Sequence, residues 1–451
     1  MDIIQVDPAW AWTPYQPSVD TRWDRQAAAH LYRRAGFGAT SQQLDEAITT
    51  EPTMLAHRLV HERSESDSFR KLIRGMTDSM IATGDAARLA SAWLYRMLQT
   101  PDQLQEKATL FWHGHFATSA DKVQDPIMMQ QQNDLLRAHA TGSFRQLVQE
   151  ISRDAAMLVY LDSASNRKTH PNENYAREVM ELFCLGEGHY SEQDIRELAR
   201  CFTGWEVKNR RFRFNRYQHD FGSKTILGKT ADFTGEQAVE QVLSQPVAAR
   251  FIAAKLVNFF VFDEPAVPAV LVQPLADQLE QDDFQLATTL TRILSSNLFY
   301  SPLSRRRKIR SPVELMVGMI RTLEMTVNVN QLTDGIREIG QGLLYPPNVK
   351  GWDGGRSWVN SSTLLGRANL VYLVLSDEKT RFAGGSLQQF LASQGVDDLE
   401  QAVNWFVDHL LAVDLEPSRR AQLAAAAEAD SDESYLQLLH ALSTLPEFQI
   451  S

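Results

Sequence analysis

The segment Asn172-Glu173-Asn174-Tyr175-Ala176-Arg177-Glu178-Val179-Met180-Glu181-Leu182-Phe183 concentrates the chemistry-bearing side chains of this chain. Its spacing predicts a helix from about Asn174, on which Asn174, Glu178 and Glu181 stand at i, i+4 and i+7 and share one face. Tyr175, Val179, Leu182 and Phe183 supply the apolar side. Two carboxylates one turn apart on a buried face are what a divalent metal or an acid/base pair requires. An enzymatic reading takes Glu178, Glu181 and Arg177 as catalytic, with Asn172, Asn174 and Lys224 contacting an anionic substrate. The same carboxylates also suit a solvated acidic face paired with Arg177 and Arg200.

Histidines are the second group of interest. Phe111-Trp112-His113-Gly114-His115-Phe116 follows the helical run Leu104 to Leu110, and His219-Asp220 follows a basic hairpin. Imidazole with carboxylate is a ligand set for zinc, iron or manganese, so His113, His115, His219 and Asp220 are the expected metal ligands, joined by Glu178 and Glu181. On a regular helix His113 and His115 diverge by about two hundred degrees, so at most one of them points inward. The alternative is that they are hydrogen-bonded supports beside Trp112. Asp220-Phe221-Gly222 matches the magnesium-binding tripeptide of protein kinases, but no His-Arg-Asp loop precedes it. The basic run Ser301 to Arg310 is either a phosphate or sulfate site or a solvated loop entering the helix after Pro312.

These residues need elements to hold them. Apolar side chains recur at three and four along most of the chain, as in Ala90 to Leu98, Ile252 to Phe260, Val313 to Leu323 and Val403 to Leu411. Ser191, with Asp194 three residues on, predicts an N-cap and a helix to about Phe202. Packed antiparallel to its predecessor, that helix would bring Glu178 or Glu181 within reach of Arg196 or Arg200. Strand alternation is rare. Glu206 to Tyr217, where Phe212 and Phe214 alternate with Arg211 and Arg213, predicts a small hairpin turning near Asn209. Turns are expected at Gly186 to Gly188, Pro265 to Pro268 and Tyr345 to Gly355. The expected fold is therefore mainly α: a large multi-helix domain with a small β-hairpin insertion and a C-terminal helical subdomain. Residues 1–20 would form an extension, 21–376 the core and 377–451 the subdomain, with the Ala, Glu and Asp run Ala424 to Asp432 at a helix and its exit.

Composition narrows the function classes. The 451 residues carry 45 basic and 56 acidic side chains, a formal charge of −11, which disfavours general attraction to nucleic acid or anionic lipid. Cys184 and Cys201 are the two cysteines, so no disulfide framework is expected. Neither a signal-peptide pattern near Met1 nor an apolar run long enough to span a membrane is visible, and the expected location is cytoplasmic.

Taken together, several strings resemble one family. Leu31-Tyr32-Arg33-Arg34-Ala35-Gly36-Phe37-Gly38, Phe111 to Phe116, Asn172 to Gly186, and Phe202-Thr203-Gly204-Trp205 come first. His219-Asp220 with Lys224-Thr225-Ile226-Leu227-Gly228, Phe251 to Phe260, and Pro346-Pro347-Asn348-Val349-Lys350-Gly351-Trp352 follow in order. The chain is thus similar, over nearly its whole length, to the domain-of-unknown-function 1800 (DUF1800) family. The resemblance implies no agreed reaction. Family members are widespread in bacteria and often carry export signals. Their genes often neighbour those of proteins resembling sulfatases or alkaline phosphatases, which implies a partner of that kind. Two functions are expected from these readings: a metal-dependent or acid/base enzyme acting on an anionic substrate, or a helical scaffold or accessory protein.

Overall fold

The computed structural model describes residues 3–19, 21–411, 413, 415–425 and 431–451. Helices hold 61% of the described residues, among which there are three sheets, each of two antiparallel strands. The fold is mainly α, as the three-and-four periodicity requires. Side-chain caps start many of the helices: Ser191 accepts from the Asp194 amide while Asp194 accepts from Ser191, and Ser311 and Glu314 do the same at Pro312–Thr322. No helix among the described residues is long and apolar enough to cross a membrane.

The apolar side chains form two cores. One gathers Leu31, Phe116, Phe144, Phe183, Trp205, Phe260 and Phe299; the other gathers Trp93, Met97, Met316, Leu370, Phe406 and Leu439. The helix Gln103–His115 lies between them, giving Leu104, Phe111 and Trp112 to the first and Leu110 to the second. Helices Leu387–Ser393, Leu399–Leu410 and Asp432–Ser443 contribute to the second core. The chain end is tied into the body: buried Arg34 donates to the carbonyls of Val261 and Ser304 at 2.7 Å and of Ser451 at 2.6 Å. Within the run Ala424 to Asp432, residues 426–430 lie outside the described residues, as do residues 1, 2 and 20 of the N-terminal segment.

Strand Trp205–Lys208 pairs with Arg211–Phe214, Trp205 opposite Phe214, and the turn falls at Asn209 and Arg210 with φ of 53° and 60°. Two successive left-handed residues give the turn whose twist matches a two-residue hairpin. Two smaller ribbons join it. Lys224–Ile226 pairs with Lys229–Ala231, and Met325–Thr326 pairs with Arg381–Phe382. Strands of two or three residues are too short to display alternation, which is why the sequence predicts one hairpin instead of three ribbons.

Candidate functional site

The segment that dominates the sequence is largely consumed by structure. Asn172 donates to the Asp162 carbonyl at 3.0 Å, its oxygen accepts from the Asn174 amide, and Asn174 donates to the Leu161 carbonyl. Both asparagines thus pin a turn. Arg177 pairs with Glu192 at 2.8 Å and Glu173 at 3.4 Å. The helix Asn174–Glu178 passes directly into a π-helix, Val179–Cys184, where the Leu185 amide reaches back to the Met180 carbonyl at 2.9 Å. This wider turn departs from regular α-helical phase after Glu178, yet the Glu181 charge still acts on Glu178, and such bulges recur at functional sites.

Glu181 accepts from the Tyr190 hydroxyl at 3.0 Å. Glu178 is half-buried and, among the described residues, takes part in no hydrogen bond or ion pair. The expectation that Arg196 or Arg200 would reach these glutamates is corrected: Arg196 faces Glu173, and Arg200 pairs with Glu197 and Asp220, each at 2.7 Å. Burial raises the Glu178 pKa and Glu181 raises it further, against the opposing charges of Arg177 and Lys350. Glu178 is therefore the member of the segment left with unspent chemistry.

The histidines and Lys224 do not converge on these carboxylates. His113 accepts the Leu344 amide on Nε2 at 3.2 Å and sits edge-on to Trp93. On the other side of the helix, His115 Nε2 meets the Phe183 carbonyl at 3.0 Å. His219 Nδ1 meets the Thr203 carbonyl at 2.8 Å between the rings of Phe214 and Phe221. Asp220 is held by Arg200. Lys224 is buried, and its ammonium donates to the carbonyls of Asp220 and Phe233. Among the described residues no group of three or more His, Cys, Asp or Glu side chains is placed to hold a metal ion. The divergence of His113 and His115 on a regular helix is what separates them. The basic run is likewise engaged: Lys308 pairs with Asp263 at 2.8 Å and Arg310 donates to the Leu410 carbonyl at 2.8 Å.

A cleft of about 530 Å³ lies along the helix Gln103–His115, outside the sequence-predicted cluster except for His115. Its walls come from Phe111, His115, the helix Pro246–Phe260, Glu314 and the loop 345–358. That loop docks by backbone contact. A Cβ on Gly351, whose φ is +79°, would stand 2.1 Å from the Gly114 carbonyl oxygen. A Cβ on Gly114 would meet Trp352 at 3.8 Å, an ordinary contact, so the docking depends on glycine at position 351, which lets the loop backbone reach the helix. Gly351→Ala is accordingly expected to cost on the order of 2 kcal/mol or more, combining left-handed strain with a backbone clash. Limited proteolysis should cut the loop 345–358 sooner than in wild type; an unchanged cleavage rate would contradict this docking.

The electrostatics of the cleft are uneven. Lys308 is matched by Asp263, Arg356 by Glu264 at 2.8 Å, and Glu314 by fully buried Lys107. Burial works to raise the Glu314 pKa, but Lys107 and Lys308 outweigh it and hold the carboxyl at about 2. Lys255 and Lys350 line the same space with no carboxylate within ion-pair distance among the described residues. Lys255 is half-buried with its ammonium 5.1 Å from the centre of the Phe251 ring, and burial lowers its pKa. Lys350 links the cleft to the segment described above, since its charge also acts on Glu178. A second, polar hollow of about 420 Å³ lies across Trp352, lined by Tyr160, Arg337 and Tyr345, and the Glu178 charge acts on Tyr160.

A family model described as a protein of unknown function, DUF1800, matches residues 30–450. The chain belongs to the DUF1800 family. No curated protein and no solved structure matches it. The DUF1800 match spans both apolar cores, the cleft and the loop 345–358, so the resemblance drawn from the separate strings holds over nearly the whole chain. Lys255 and Lys350 lie inside two of those strings, where sequence pattern alone reads a core stripe and a turn. The available signal is a single lysine interrupting the apolar run Phe251 to Phe260.

Proposed function

We propose that this DUF1800 chain binds a small organic anion in the cleft over the helix Gln103–His115 and acts on it by acid/base chemistry. The observation that carries the reading is the pair Lys255 and Lys350, cations lining an aromatic-walled space without carboxylate partners. Half-buried Lys255, a cation against an apolar wall without a counter-ion, gains from an anion in the space before it, and Lys350, exposed on the loop, adds a second positive charge to that space. Of the groups that line the cleft, His115 can exchange a proton with the ligand, its buried Nδ1 having no hydrogen-bond partner; Glu178, whose raised pKa also suits acid/base work, lies outside the lining and is linked to it only through the charge of Lys350. Arg177 and Lys224 drop out of the anion-binding role because their donors are already engaged. A metal-dependent form of the reading has less support, since the named imidazoles are bonded to separate backbone groups. Elemental analysis of the purified protein tests that form directly.

Calorimetry against small carboxylates, phosphate esters and sulfate esters tests the anion reading. At least one class is expected to bind saturably, and Lys255→Met to weaken it by roughly tenfold to a hundredfold, the worth of one charge-assisted hydrogen bond. Saturable binding that Lys255→Met leaves unchanged, in a folded variant, would sink the proposal. So would the absence of binding throughout the panel.

A second reading, an accessory protein for a partner resembling sulfatases or alkaline phosphatases, is favoured by one surface. Leu364, Leu365, Tyr372 and Leu373 are exposed on the helix Ser361–Ser376. Co-purification that Leu365→Glu abolishes would favour it over the enzyme. Cytoplasmic placement belongs with the enzymatic reading, supported by the two buried free thiols Cys184 and Cys201.

A further inference from the structure

We propose that Lys255 is a carbonyl-reactive amine, condensing with the ketone or aldehyde of a 2-oxo acid seated in the cleft to form an imine, with His115 Nδ1 as the proton acceptor. The inference rests on the anion-binding reading above and names its substrate class. Lysines elsewhere around the cleft are committed: Lys107 to Glu314 and Lys308 to Asp263, both in ion pairs, while Lys350 stands exposed on the loop. Lys255 differs from all three. It is half-buried, lines the cleft, lies against the Phe251 ring, and has no carboxylate to hold its proton. Desolvation without a counter-ion shifts a lysine toward the neutral amine, which is the nucleophilic form.

His115 is the second observation. The Phe183 carbonyl can only accept, so the 3.0 Å contact fixes the proton on Nε2 and leaves the lone pair of the neutral ring on Nδ1. Nδ1 is buried and has no hydrogen-bond partner. The ring lines the same cleft, and the Lys255 charge acts on it, after burial, to keep it neutral. A buried acceptor without a donor is costly, and its presence in a residue lining the same cleft as an amine without a counter-ion suits a proton-transfer role.

The step balances without an added redox partner. The neutral Lys255 amine attacks the carbonyl carbon, the C–N bond forms and the C=O π pair becomes an alkoxide. The nitrogen proton passes to His115 Nδ1 and from there to the oxygen. The second nitrogen proton then follows the same route to the hydroxyl, the C–O bond breaks with release of water, and the C=N bond forms. Lys350 would face the carboxylate of the substrate, Phe111, Phe259 and Trp352 give the cleft aromatic walls, and 530 Å³ is ample for a short 2-oxo acid.

The test is reductive trapping on the full chain with pyruvate and with glyoxylate, using cyanoborohydride and peptide mass mapping, alongside calorimetry of the same acids without reductant. Lys255 should be labelled faster than the exposed Lys71 and Lys379 by on the order of tenfold or more, the advantage of a bound and oriented carbonyl. Lys255→Arg, which keeps the cation but loses the condensing amine, should lose the label. His115→Gln, whose amide can still donate to the Phe183 carbonyl, should slow trapping more than it weakens calorimetric binding. Saturable binding with Lys255 labelled no faster than Lys71 overturns this inference and leaves the anion reading standing. Absence of binding and of selective labelling removes both.

Discussion

Lys107→Met is expected to destabilise the protein by about 3–5 kcal/mol, one of the largest losses open to a single substitution here, because it strands a buried carboxylate. Lys107 and Glu314 are an ion pair whose side chains are 1% and 9% exposed. The ammonium also lies 5.3 Å from the Phe37 ring and 5.7 Å from the Phe259 ring, so it has no solvent to fall back on. Burial pulls the Lys107 pKa down and Glu314 opposes the fall; the carboxyl partner is held low by the lysine in turn. Removing the lysine takes away the one ion-pair partner of Glu314 among the described residues; Lys308 is already paired with Asp263, and Arg34, Arg310 and Arg367 act on the carboxylate only through their charge.

The double variant Lys107→Met/Glu314→Gln should recover most of the loss. The introduced amide oxygen would still accept the Ser311 amide that Glu314 Oε2 now accepts at 2.8 Å, so the cap of the helix Pro312–Thr322 survives. Urea unfolding of the wild type, the single and the double variant measures both terms. A single variant within about 1 kcal/mol of wild type, or a double variant no better than the single, would show that the pair is not coupled in this way.

How much of this is legible in the sequence follows from the range of each interaction. Helices are readable because their signal is local: Val313 to Leu323 repeats its apolar side chains within the helix that it forms, and Ser191 caps its own first turn. Asn209 marks its hairpin for the same reason. The polar segment at Asn172 is unusual by composition, but side-chain type does not say which of its members are already spent. Asn172 and Asn174 serve the backbone of residues 161–162, and the π-helix at Val179 departs from regular α-helical phase after Glu178. A cluster of that density leads one to expect Glu178 largely buried and partnered; it is half-buried, with its carboxylate unbonded among the described residues.

The cleft is not legible, and the reason is long-range contact. It exists because Gly351 meets Gly114 and because Lys308 and Asp263 close one wall, pairs that no periodicity connects. His113 and His115 illustrate the point. Residue type marks both as metal-ligand candidates and helical spacing sets them on different sides, but which distant backbone group each imidazole meets, Leu344 or Phe183, is not written in the local sequence.

Stability should fall as pH drops from about 6.5 toward 4, and two buried histidines with opposite roles from Asp154 make that slope diagnosable. Burial holds His113 and His409 at about 4. His409 is fixed neutral by its contacts, donating from Nδ1 to the Trp405 carbonyl at 2.8 Å while Nε2 accepts from Arg25 at 2.9 Å, so protonation must break the Arg25 contact. A histidine whose folded pKa lies below its unfolded value of about 6.5 binds fewer protons when folded, so its contribution is present above 6.5 and is lost on acidification, by roughly 3 kcal/mol for each ring at most. Asp154 runs the other way. Burial raises it from 3.8 to about 6 against the hydrogen bonds from the Met157 amide and Gln132, so the folded state binds more protons and its contribution grows as pH falls through 6 toward 3.8. Burial lowers His30 and His115 well below the ordinary value as well, so the histidines outweigh one aspartate and the net slope is acid loss. Asp154→Asn keeps an oxygen to cap the helix Ala155–Tyr160 but cannot titrate, so it should steepen the acid loss while raising stability at about pH 7 by roughly 2–3 kcal/mol. Urea midpoints of both proteins between about pH 4 and 7 decide the matter: a wild-type profile that rises toward the acid end, or an Asp154→Asn profile parallel to it, would mean that these side chains are not the groups whose protons are coupled to folding.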